Sequence, residues 1–388
     1  MIGPARVRVA LANGGHDVLV GRGLLTGLGG LLTRLGQFRR IHLFEDVGVP
    51  KALRDVAASS IDARLTRTEY GLDEATKSMA SLERMLQDLA SAGLERGDLA
   101  VVVGGGILGD VAGLAAGLHR RGVGVVQCPT TLLSMVDASV GGKTGVNLAV
   151  LADPTRVLLK NAVGMFHQPS LVVADVETLV SLPDRAFRCG LAECIKHAVI
   201  AGTETGGMLD LDALSSCLPM GPTTDAERLV SLVRENIGLK AAVVAGDEQE
   251  LAQGAAPGRR ALNLGHTFAH AIEGCEGVRV EIEGRLVHPS HGEAVGIGLI
   301  ASARLGEAVG LTPPGLADKI QAVVARAGLP VHLVEVPDIG DLMSAMRQDK
   351  KSSGGVLRLV VPTREGVSML DDPGDSALAG AWRHVRGR

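Results

Sequence analysis

The sequence predicts an α/β domain followed by a mainly helical domain, with a boundary near residues 180–185. Before this boundary, short apolar runs alternate with segments of helical spacing, which is typical of a parallel sheet covered by helices on both faces. After Pro183, strand-like runs become rare and helical patterns dominate. A length of 388 residues also fits two domains. We therefore assign residues 1–183 to the first domain and residues 184–388 to the second.

The strongest strand prediction in the first half is Leu99–Val103. This run is continuously apolar and ends at three glycines, as expected for a parallel strand buried on both faces. Because ligands of such sheets bind beyond the carboxyl ends of the strands, we expect a cofactor there. The other predicted strands are Arg6–Leu11, Asp17–Val20, Arg40–Phe44 and Gly124–Cys128, and the predicted helices are 47–58, 77–92 and Leu108–Leu118.

Helical spacing dominates the second half. The predicted helices are Asp184–Ala201, Asp225–Val244, His266–Cys275, Gly292–Gly310 and Pro314–Ala327. One short strand-like run, Leu357–Val361, occurs near the end. The segments 249–258 and 276–288 are predicted to be surface loops.

Composition excludes several classes of protein. A formal net charge of −4 and an aromatic content of 2% provide neither the basic surface nor the stacking rings of a nucleic-acid binder. The five cysteines form no Cys-x-x-Cys pair, which indicates a reducing compartment. The segment Met1–Leu25 carries charges and no long apolar stretch, so we predict no signal peptide. We expect a cytoplasmic protein.

The segment 101–113, "VVVGGGILGDVAG", places a glycine-rich turn between a strand and a helix. Gly104, Gly106 and Gly109 match the pattern Gly-x-Gly-x-x-Gly. Glycines there let the backbone approach a pyrophosphate, whose charge is favoured at a helix N-terminus. A tight turn alone could have this composition, but its place directly after a buried strand favours a dinucleotide site.

The stretch 137–147, "DASVGGKTGVN", is similar to the end of a phosphate-binding P-loop. That motif requires a glycine five positions before the Gly-Lys pair, and Asp137 stands there instead. Its negative charge would face the phosphates of a nucleoside triphosphate. A P-loop is therefore disfavoured, and Lys143 needs another explanation.

The second half contains metal-ligand residue types at helical spacing. Glu193 and Lys196 are one turn apart, and His266 and His270 also share a helix face. The segment "HPSHGEAV" supplies two further histidines. Two histidines and a glutamate can hold a catalytic zinc ion. The His-Thr-Phe-Ala-His sequence lacks the glutamate base of zinc proteases, so a protease is disfavoured.

Six basic residues are dispersed along the chain, and most of them lie beside glycine, asparagine or acidic residues rather than in one charged run. Such residues could hold a phosphate and a carboxylate, although their spacing alone favours a solvated surface. The set comprises Arg121, Lys143, Lys196, Lys240, Arg259 and Lys350.

Taken together, these motifs resemble those of the 3-dehydroquinate synthases, a family of sugar-phosphate cyclases. The resemblance covers nearly the whole chain in order. The matching segments are "GGGILGDVAG", "RRGVGVVQCPTTLLSMVDASVGGKTGVN", "KNAVGMFHQP", "GLAECIKH", "LNLGHTFAHAIE", "HGEAVGIG" and "DKKSSGG".

The resemblance implies a Rossmann-like, NAD-binding first domain and an all-α, metal-binding second domain. It implies zinc or cobalt ligands at Glu193, His266 and His291, whereas His288 has no counterpart in the motif. Implied catalytic and substrate-binding residues are Asp137, Lys143, Asn161, Lys196, Lys240, Arg259, Asn263, His270 and Lys350, with Arg121 reaching the phosphate from the partner subunit of a homodimer. Implied NAD contacts are Asp46, Glu74, Lys77, Gly105, Gly106, Asp110, Thr130, Thr131 and Thr178 or Ser181.

The implied reaction converts 3-deoxy-D-arabino-heptulosonate 7-phosphate to 3-dehydroquinate and phosphate, the second step of the shikimate pathway. NAD would accept and return a hydride, and zinc would polarise the oxidised oxygen. A histidine or lysine relay would move the proton. The sequence departs from the family pattern in two ways: Gly48 replaces the usual asparagine, and the segments 148–159, 251–258 and 276–288 are longer than usual.

Three other functions agree with parts of this pattern. A related cyclase would act on sedoheptulose 7-phosphate or glucose 6-phosphate. A metal-dependent alcohol dehydrogenase of the glycerol dehydrogenase type has the same two-domain plan but would accumulate NADH. A non-enzymatic, NAD-binding regulatory protein would need neither the metal nor Lys143.

Overall fold

The computed structural model describes residues 3–12, 14–152, 155–202, 207–251, 257–352 and 356–387, without the side chains of 151–152, 155–157 and 348–352. The chain divides into two compact units. One comprises Met1–Pro183 and Pro222–Ala245, and the other comprises Asp184–Gly221 and Gly246–Arg388. The sequence-based division at residue 183 did not anticipate that residues 222–245 group with the first unit.

The first unit is built on a mostly parallel sheet. The strands of this sheet are β1 (Ala5–Val9), β2 (His16–Gly21), β3 (Arg40–Asp46), β4 (Arg64–Tyr70), β5 (Leu99–Gly104), β6 (Gly124–Pro129) and β9 (Leu171–Asp175). Two further strands, β7 (Lys143–Ala152) and β8 (Thr155–Phe166), form a separate hairpin. Within the described residues the sheet order is β1-β2-β9-β6-β5-β3-β4, and only β1 runs antiparallel to its neighbour. The direction of strand succession reverses between β3 and β5, where such sheets bind ligands.

Helices cover both faces of this sheet, as predicted. They are α1 (Leu28–Leu35), α2 (Lys51–Ser59), α3 (Met79–Ser91) and α4 (Gly106–Leu118). Alternate residues of β5 enter opposite cores. Ala100 and Val102 pack in the cluster that contains α3 and α4 residues, whereas Val101 and Val103 pack with residues of α1 and α2.

The remaining helices are α5 (Asp184–Ala201), α6 (Leu211–Cys217), α7 (Ala226–Gly246), α8 (His266–Gly274), α9 (His291–Ala308), α10 (Leu316–Arg326), α11 (Ile339–Ser352) and α12 (Asp375–Val385). All of them except α7 belong to the second unit, which is mainly helical as predicted. No helix in the described part of the chain is long and apolar enough to cross a membrane.

The second unit also contains two antiparallel strand pairs. β10 (Val280–Ile282) pairs with β11 (Arg285–Val287), and β12 (Arg358–Thr363) pairs with β13 (Gly366–Asp371). The first pair lies inside the segment 276–288 that was predicted to be a loop, so that prediction was wrong for these strands. Part of the other predicted loop, 252–256, lies outside the described residues.

Candidate functional site

The topology of the first unit brings the predicted nucleotide-binding residues to one edge of the sheet. Each lies at the carboxyl end of a parallel strand or in the segment that follows it, and these ends meet at the same edge of the sheet. Asp46 ends β3, Glu74 and Lys77 follow β4, Gly105, Gly106 and Asp110 follow β5, Thr130 and Thr131 follow β6, and Thr178 and Ser181 follow β9.

Close backbone packing at this edge requires glycine. A Cβ atom on Gly104 would lie 2.8 Å from Asp46 Cβ, and one on Gly105 would lie 3.3 Å from Thr131 Cγ2. Gly105 is the N-cap of α4, and its side-chain-free turn leaves the helix N-terminus approachable. Gly48 donates its N–H to Asp46 Oδ1 at 2.8 Å, so this carboxylate is held by the local turn.

A buried lysine connects several predicted residues of the first unit. The Lys77 ammonium donates to Asp110 Oδ2 and to Asn161 Oδ1, both at 2.6 Å. Burial raises the pKa of Asp110, and the nearby Lys77 charge opposes this rise. The structure therefore places Asn161, a predicted substrate ligand, directly against the predicted NAD contact Lys77, which also binds Asp110.

The glycine-lysine stretch forms a tight turn that leads into β7. Gly141 and Gly142 have φ values of 103° and 67°, in the left-handed region that favours glycine. A Cβ on Gly142 would also lie 2.6 Å from the Gln168 side chain. A small recess is lined by Gly106, Asp110, Lys143 and other residues of the first unit.

Asp137 and Lys240 form an ion pair. Asp137 lies in a π-helical turn, Ser134–Ala138, a conformation that is frequent at functional sites. Lys240, on α7, donates to both Asp137 Oδ1 and the Asp137 carbonyl oxygen. The lysine side chain is 7% exposed. The aspartate that disfavours a P-loop is therefore held by a buried cation.

The remaining predicted residues of the first unit differ in accessibility. Arg121 is exposed and has a φ of 65°, next to Arg120 with a φ of 52°. Thr178 and Ser181 donate their hydroxyls to the Asp175 and Thr178 carbonyls, at 2.8 and 2.9 Å. The structure thus gives both hydroxyls a local role in the turn.

In the second unit, three potential metal ligands converge. The donor atoms of Glu193, His266 and His291 all lie within 4.8 Å of one another. Glu193 Oε1 is 3.7 Å from His266 Nε2 and 3.4 Å from His291 Nε2. Lys196 Nζ lies 2.5 Å from the other carboxylate oxygen, Oε2. Both Glu193 and Lys196 are buried in α5.

Two glycines allow the helices to approach closely enough for this cluster. A Cβ on Gly292 would lie 2.3 Å from Cys189 Cα, so the start of α9 packs directly on α5. A Cβ on Gly298 would lie 2.2 Å from the Gly265 carbonyl oxygen, at the start of α8. Because His291 is the first residue of α9, this packing brings its ring to Glu193.

Hydrogen bonds orient both histidine rings toward the cluster. His266 Nδ1 is 3.1 Å from the Leu264 carbonyl oxygen, and His291 Nδ1 is 3.2 Å from Glu273 Oε1. Each ring therefore presents Nε2 to Glu193. Among the described residues, the buried Glu193 Oε1 has no hydrogen-bond partner. Two imidazole nitrogens and an unsatisfied buried carboxylate oxygen fit a divalent zinc-type cation.

Burial and the neighbouring charges shift the pKa values of all three residues of the cluster. Burial raises the pKa of Glu193, but Lys196 and the two histidines outweigh it and hold the pKa well below its usual range. Burial, followed by the Lys196 charge, lowers the pKa of His266 to about 3. Burial lowers the pKa of His291, but Glu193 and Glu273 overcome this and raise it to about 9.

The other predicted residues of the second unit lie in α8, in the turn that precedes it, or in α11. The His270 ring centroid is 5.8 Å from that of His266, and His270 is exposed. Arg259 is buried, with Nη1 donating to the Glu248 carbonyl at 2.5 Å, and Asn263 Nδ2 donates to Glu250 Oε1 at 3.2 Å. Lys350 lies in α11, but its side chain is outside the described part of the structure.

Two residues of the site were not identified from the sequence. Glu273 lies on the same helix face as His266 and His270, at spacings of seven and three, which could have indicated its role. Asn147 ends the stretch "GGKTGVN", but its contacts depend on strand pairing that the sequence does not reveal.

His288, the histidine that was not predicted to bind the metal, places its ring nitrogens 3.3 Å from the Val278 and Glu273 carbonyl oxygens.

Comparison with known proteins identifies the family. The family model described as 3-dehydroquinate synthase N-terminal matches residues 69–189, and the corresponding C-terminal model matches residues 190–352. The 3-dehydroquinate synthase of Paracoccus denitrificans (strain Pd 1222) is 36% identical over 381 residues, covering 96% of each chain. That of Caulobacter vibrioides (strain NA1000 / CB15N) is 38% identical over 387 residues, covering 97% of each.

Solved structures agree with the fold. A 2-deoxy-scyllo-inosose synthase complexed with carbaglucose-6-phosphate, NAD+ and Co2+ matches with a TM-score of 0.81 and 22% identity, covering 98% of this chain and 99% of the other. The 2-epi-5-epi-valiolone synthase of Streptomyces hygroscopicus subsp. jinggangensis 5008, with NAD+ and Zn2+ bound, matches with a TM-score of 0.79 and 25% identity, covering 97% and 98%. With two family models spanning residues 69–352 and relatives matched along almost the whole length, the chain belongs to the 3-dehydroquinate synthase family of enzymes.

Proposed function

We propose that this chain converts 3-deoxy-D-arabino-heptulosonate 7-phosphate to 3-dehydroquinate and phosphate, with NAD and a divalent metal ion as cofactors. The observation that carries the proposal is the Glu193–His266–His291 group with Lys196 beside it, in a chain of this family. When bound, NAD supplies a hydride acceptor that later returns the hydride, and the metal ion supplies a Lewis acid at the oxidised alcohol.

Residues of the first unit would bind the nucleotide. The glycine turn at the start of α4 offers backbone N–H groups and a positive helix end to the pyrophosphate. Asp46, Glu74 and Asp110 provide acceptors for ribose and amide groups at the carboxyl edge of the sheet. The neighbouring hydroxyls of Thr130 and Thr131 lie on the next strand end.

The basic and polar residues implied by the resemblance would hold the sugar phosphate. Lys143, Lys240 and Arg259 would supply positive charge for the phosphate and carboxylate. Asn161, Asn263 and Lys350 would complete these polar contacts. Asp137 would accept a hydroxyl hydrogen bond while Lys240 holds its carboxylate.

The proton removed from the substrate hydroxyl would pass to a side chain near the metal ligands. Lys196 is 1% exposed, and its ammonium contacts Glu193 Oε2. His270 lies next to His266 on the same helix and is exposed. The neutral imidazole of His270 could accept this proton, and the Lys196 ammonium could donate a proton within the same relay.

We also place the protein in the cytoplasm as a homodimer. Its scattered cysteines, which are unpaired in the described structure, fit a reducing compartment. The exposed Arg121, in an unusual left-handed backbone conformation, would then reach the phosphate bound by the partner subunit. Size-exclusion chromatography with light scattering tests the dimer.

The decisive experiment measures phosphate release from the heptulosonate, with and without a chelator. We expect NAD-dependent release that the chelator abolishes and that added zinc or cobalt restores. Lys143→Ala should lower kcat/KM by about tenfold or more, because a charge-assisted contact is lost. Release that persists after full metal removal would contradict the metal's role.

The same assay separates the rival functions. Phosphate release from sedoheptulose 7-phosphate or glucose 6-phosphate, and none from the heptulosonate, would identify another cyclase. Net accumulation of NADH would identify a dehydrogenase, since a synthase returns its hydride. The identities of 36–38% to 3-dehydroquinate synthases favour the proposed substrate over these alternatives.

A further inference from the structure

Asn147 is a buried residue of β7 that lies between predicted nucleotide and substrate contacts. It is 3% exposed and stands where the pairing of β7 with β8 shifts register, between Val146 and Leu148. Its backbone N–H donates to the Lys77 carbonyl oxygen at 2.9 Å. This irregularity turns the residue away from regular strand pairing and toward the segment that follows β4.

The two ends of the Asn147 amide have different partners. Nδ2 donates to the Glu74 carbonyl oxygen at 3.1 Å and to Glu74 Oε1 at 2.8 Å. Oδ1 accepts the backbone N–H of Asn161 at 2.8 Å. Glu74 offers only acceptor oxygens, and Asn161 offers an N–H donor. Only this orientation of the Asn147 amide therefore satisfies both partners.

The contact with Asn161 supports an unusual backbone conformation. Asn161 has a φ of 51°, in the left-handed region that non-glycine residues rarely adopt. Its side-chain oxygen accepts from Lys77 Nζ at 2.6 Å, and the same ammonium donates to Asp110. Hydrogen bonds therefore run from Glu74 through Asn147, Asn161 and Lys77 to Asp110.

We infer that Asn147 is a positioning residue that fixes Glu74 on the nucleotide side and Asn161 on the substrate side at the same time. This inference rests on the proposed function, which assigns those two sides. An asparagine is required because aspartate cannot donate to Glu74, and alanine can replace neither hydrogen bond. Asn147 itself need not touch either ligand.

The test compares Asn147→Ala and Asn147→Asp with the wild-type enzyme. The measurements are the NAD dissociation constant by calorimetry, and kcat and KM for the heptulosonate in the phosphate assay. We expect Asn147→Ala to weaken NAD binding and to lower kcat/KM, each by about tenfold or more, because buried partners on both sides are left unsatisfied.

Asn147→Asp should separate the two sides. Its carboxylate still accepts the Asn161 N–H, so KM for the sugar phosphate should stay within about threefold of wild type. It also faces the Glu74 carboxylate, so NAD affinity should fall by about tenfold or more. Because this variant keeps the shape of asparagine, it also serves as the test if Asn147→Ala does not fold.

A matched control is Ser60→Ala, which removes a hydrogen bond from the Gly29 N–H elsewhere in the same unit. It should leave NAD affinity and kcat/KM unchanged even if it lowers the melting temperature.

Wild-type NAD affinity and kinetics in a folded Asn147→Ala variant would overturn the inference. An Asn147→Asp variant that weakens NAD binding and sugar-phosphate binding equally would also overturn it. If the wild-type enzyme releases no phosphate, the proposed function fails, whereas the NAD titration still tests the nucleotide side.

Discussion

At the scale of single residues, the candidate metal-ligand group of Glu193, His266 and His291 depends on a carboxylate outside it. Glu273 Oε1 lies 3.2 Å from His291 Nδ1, so the other ring nitrogen, Nε2, points toward Glu193. The Glu273 side chain is only 9% exposed. Partners of this kind fix the tautomer and the orientation of a metal-binding histidine.

We therefore predict that Glu273→Ala will weaken zinc or cobalt binding by about 10- to 100-fold. Glu273→Gln should have a smaller effect, because its amide oxygen can still accept the His291 N–H. Competition with a chelator of known affinity measures this directly. Glu276→Ala, which alters an exposed carboxylate just beyond α8, is the control. Equal affinity in Glu273→Ala and Glu276→Ala would refute the role of Glu273.

A second residue-scale prediction concerns stability at low pH. His42 is 2% exposed, and burial lowers its pKa from 6.5 to about 4. Between these values the unfolded chain binds a proton that the folded chain does not, so the unfolding free energy falls as the pH decreases from 6.5 to 4. The buried imidazole is therefore stabilising only in its neutral form.

His42→Gln should make this decrease in stability shallower, by at most about 3 kcal/mol across the interval. Chemical denaturation at several pH values provides the measurement. The exposed His384, replaced by glutamine, is the control and should leave the slope unchanged. His16 has a similarly lowered pKa of about 4, so part of the pH dependence should remain in the His42 variant.

At the scale of helices and strands, the metal-ligand group depends on how tightly α9 packs on α5. A methyl group on Gly292 would lie 2.3 Å from Cys189 Cα and 2.4 Å from its carbonyl oxygen. These are backbone atoms, so a side-chain rotation cannot relieve the clash. The start of α9, with His291, would have to move away from Glu193.

Gly292→Ala should thus lower both stability and metal affinity. We expect a loss of about 1–3 kcal/mol in unfolding free energy, typical of overpacking, and a weaker affinity for zinc. Gly274→Ala is the matched control, because a Cβ at that glycine meets nothing within 4 Å. The prediction fails if both variants bind zinc as the wild-type protein does.

Simple burial made some elements predictable, although β9, which is also buried along its whole length, was missed. β5 is buried along its whole length, and α5 matches its predicted bounds. β4 was missed because it lies at the edge of the sheet, where its polar residues Arg64, Arg67 and Glu69 are exposed. The hairpin of β7 and β8 was missed because its glycines and polar residues are also typical of a loop.

Residues of the candidate site could be predicted together only where they share one helix. Pairs on one helix, such as Glu193 with Lys196, could be predicted from spacing alone. Which histidine meets Glu193 depends on the packing of α9 at Gly292, which spacing does not reveal. Asn147 escaped prediction for a related reason, since its partners are separated from it by 73 and 14 residues.

At the scale of the whole molecule, the first unit is discontinuous in sequence. α7 lies in the segment Pro222–Ala245, which groups with the first unit although the residues on either side belong to the second. Ile237 on this helix is fully buried. The same helix carries Lys240, which pairs with Asp137.

We predict that Ile237→Ala will destabilise the first unit specifically, by about 2–5 kcal/mol. Hydrogen exchange followed by mass spectrometry should show faster exchange in α7 and in the Ser134–Ala138 turn that Lys240 contacts, with α9 and α12 unaffected. Arg228→Ala, on the exposed side of α7, should leave exchange unchanged. Faster exchange confined to α9 and α12 would contradict this assignment.

The discontinuity also has a consequence for biosynthesis. During translation the chain emerges from its N-terminus, and domains generally begin to fold as they emerge. The strands of the first unit are all synthesised by Asp175, but α7 is complete only at Gly246. On a nascent chain, the Lys240 partner of Asp137 is therefore made only after α5 and α6, although both residues belong to the first unit.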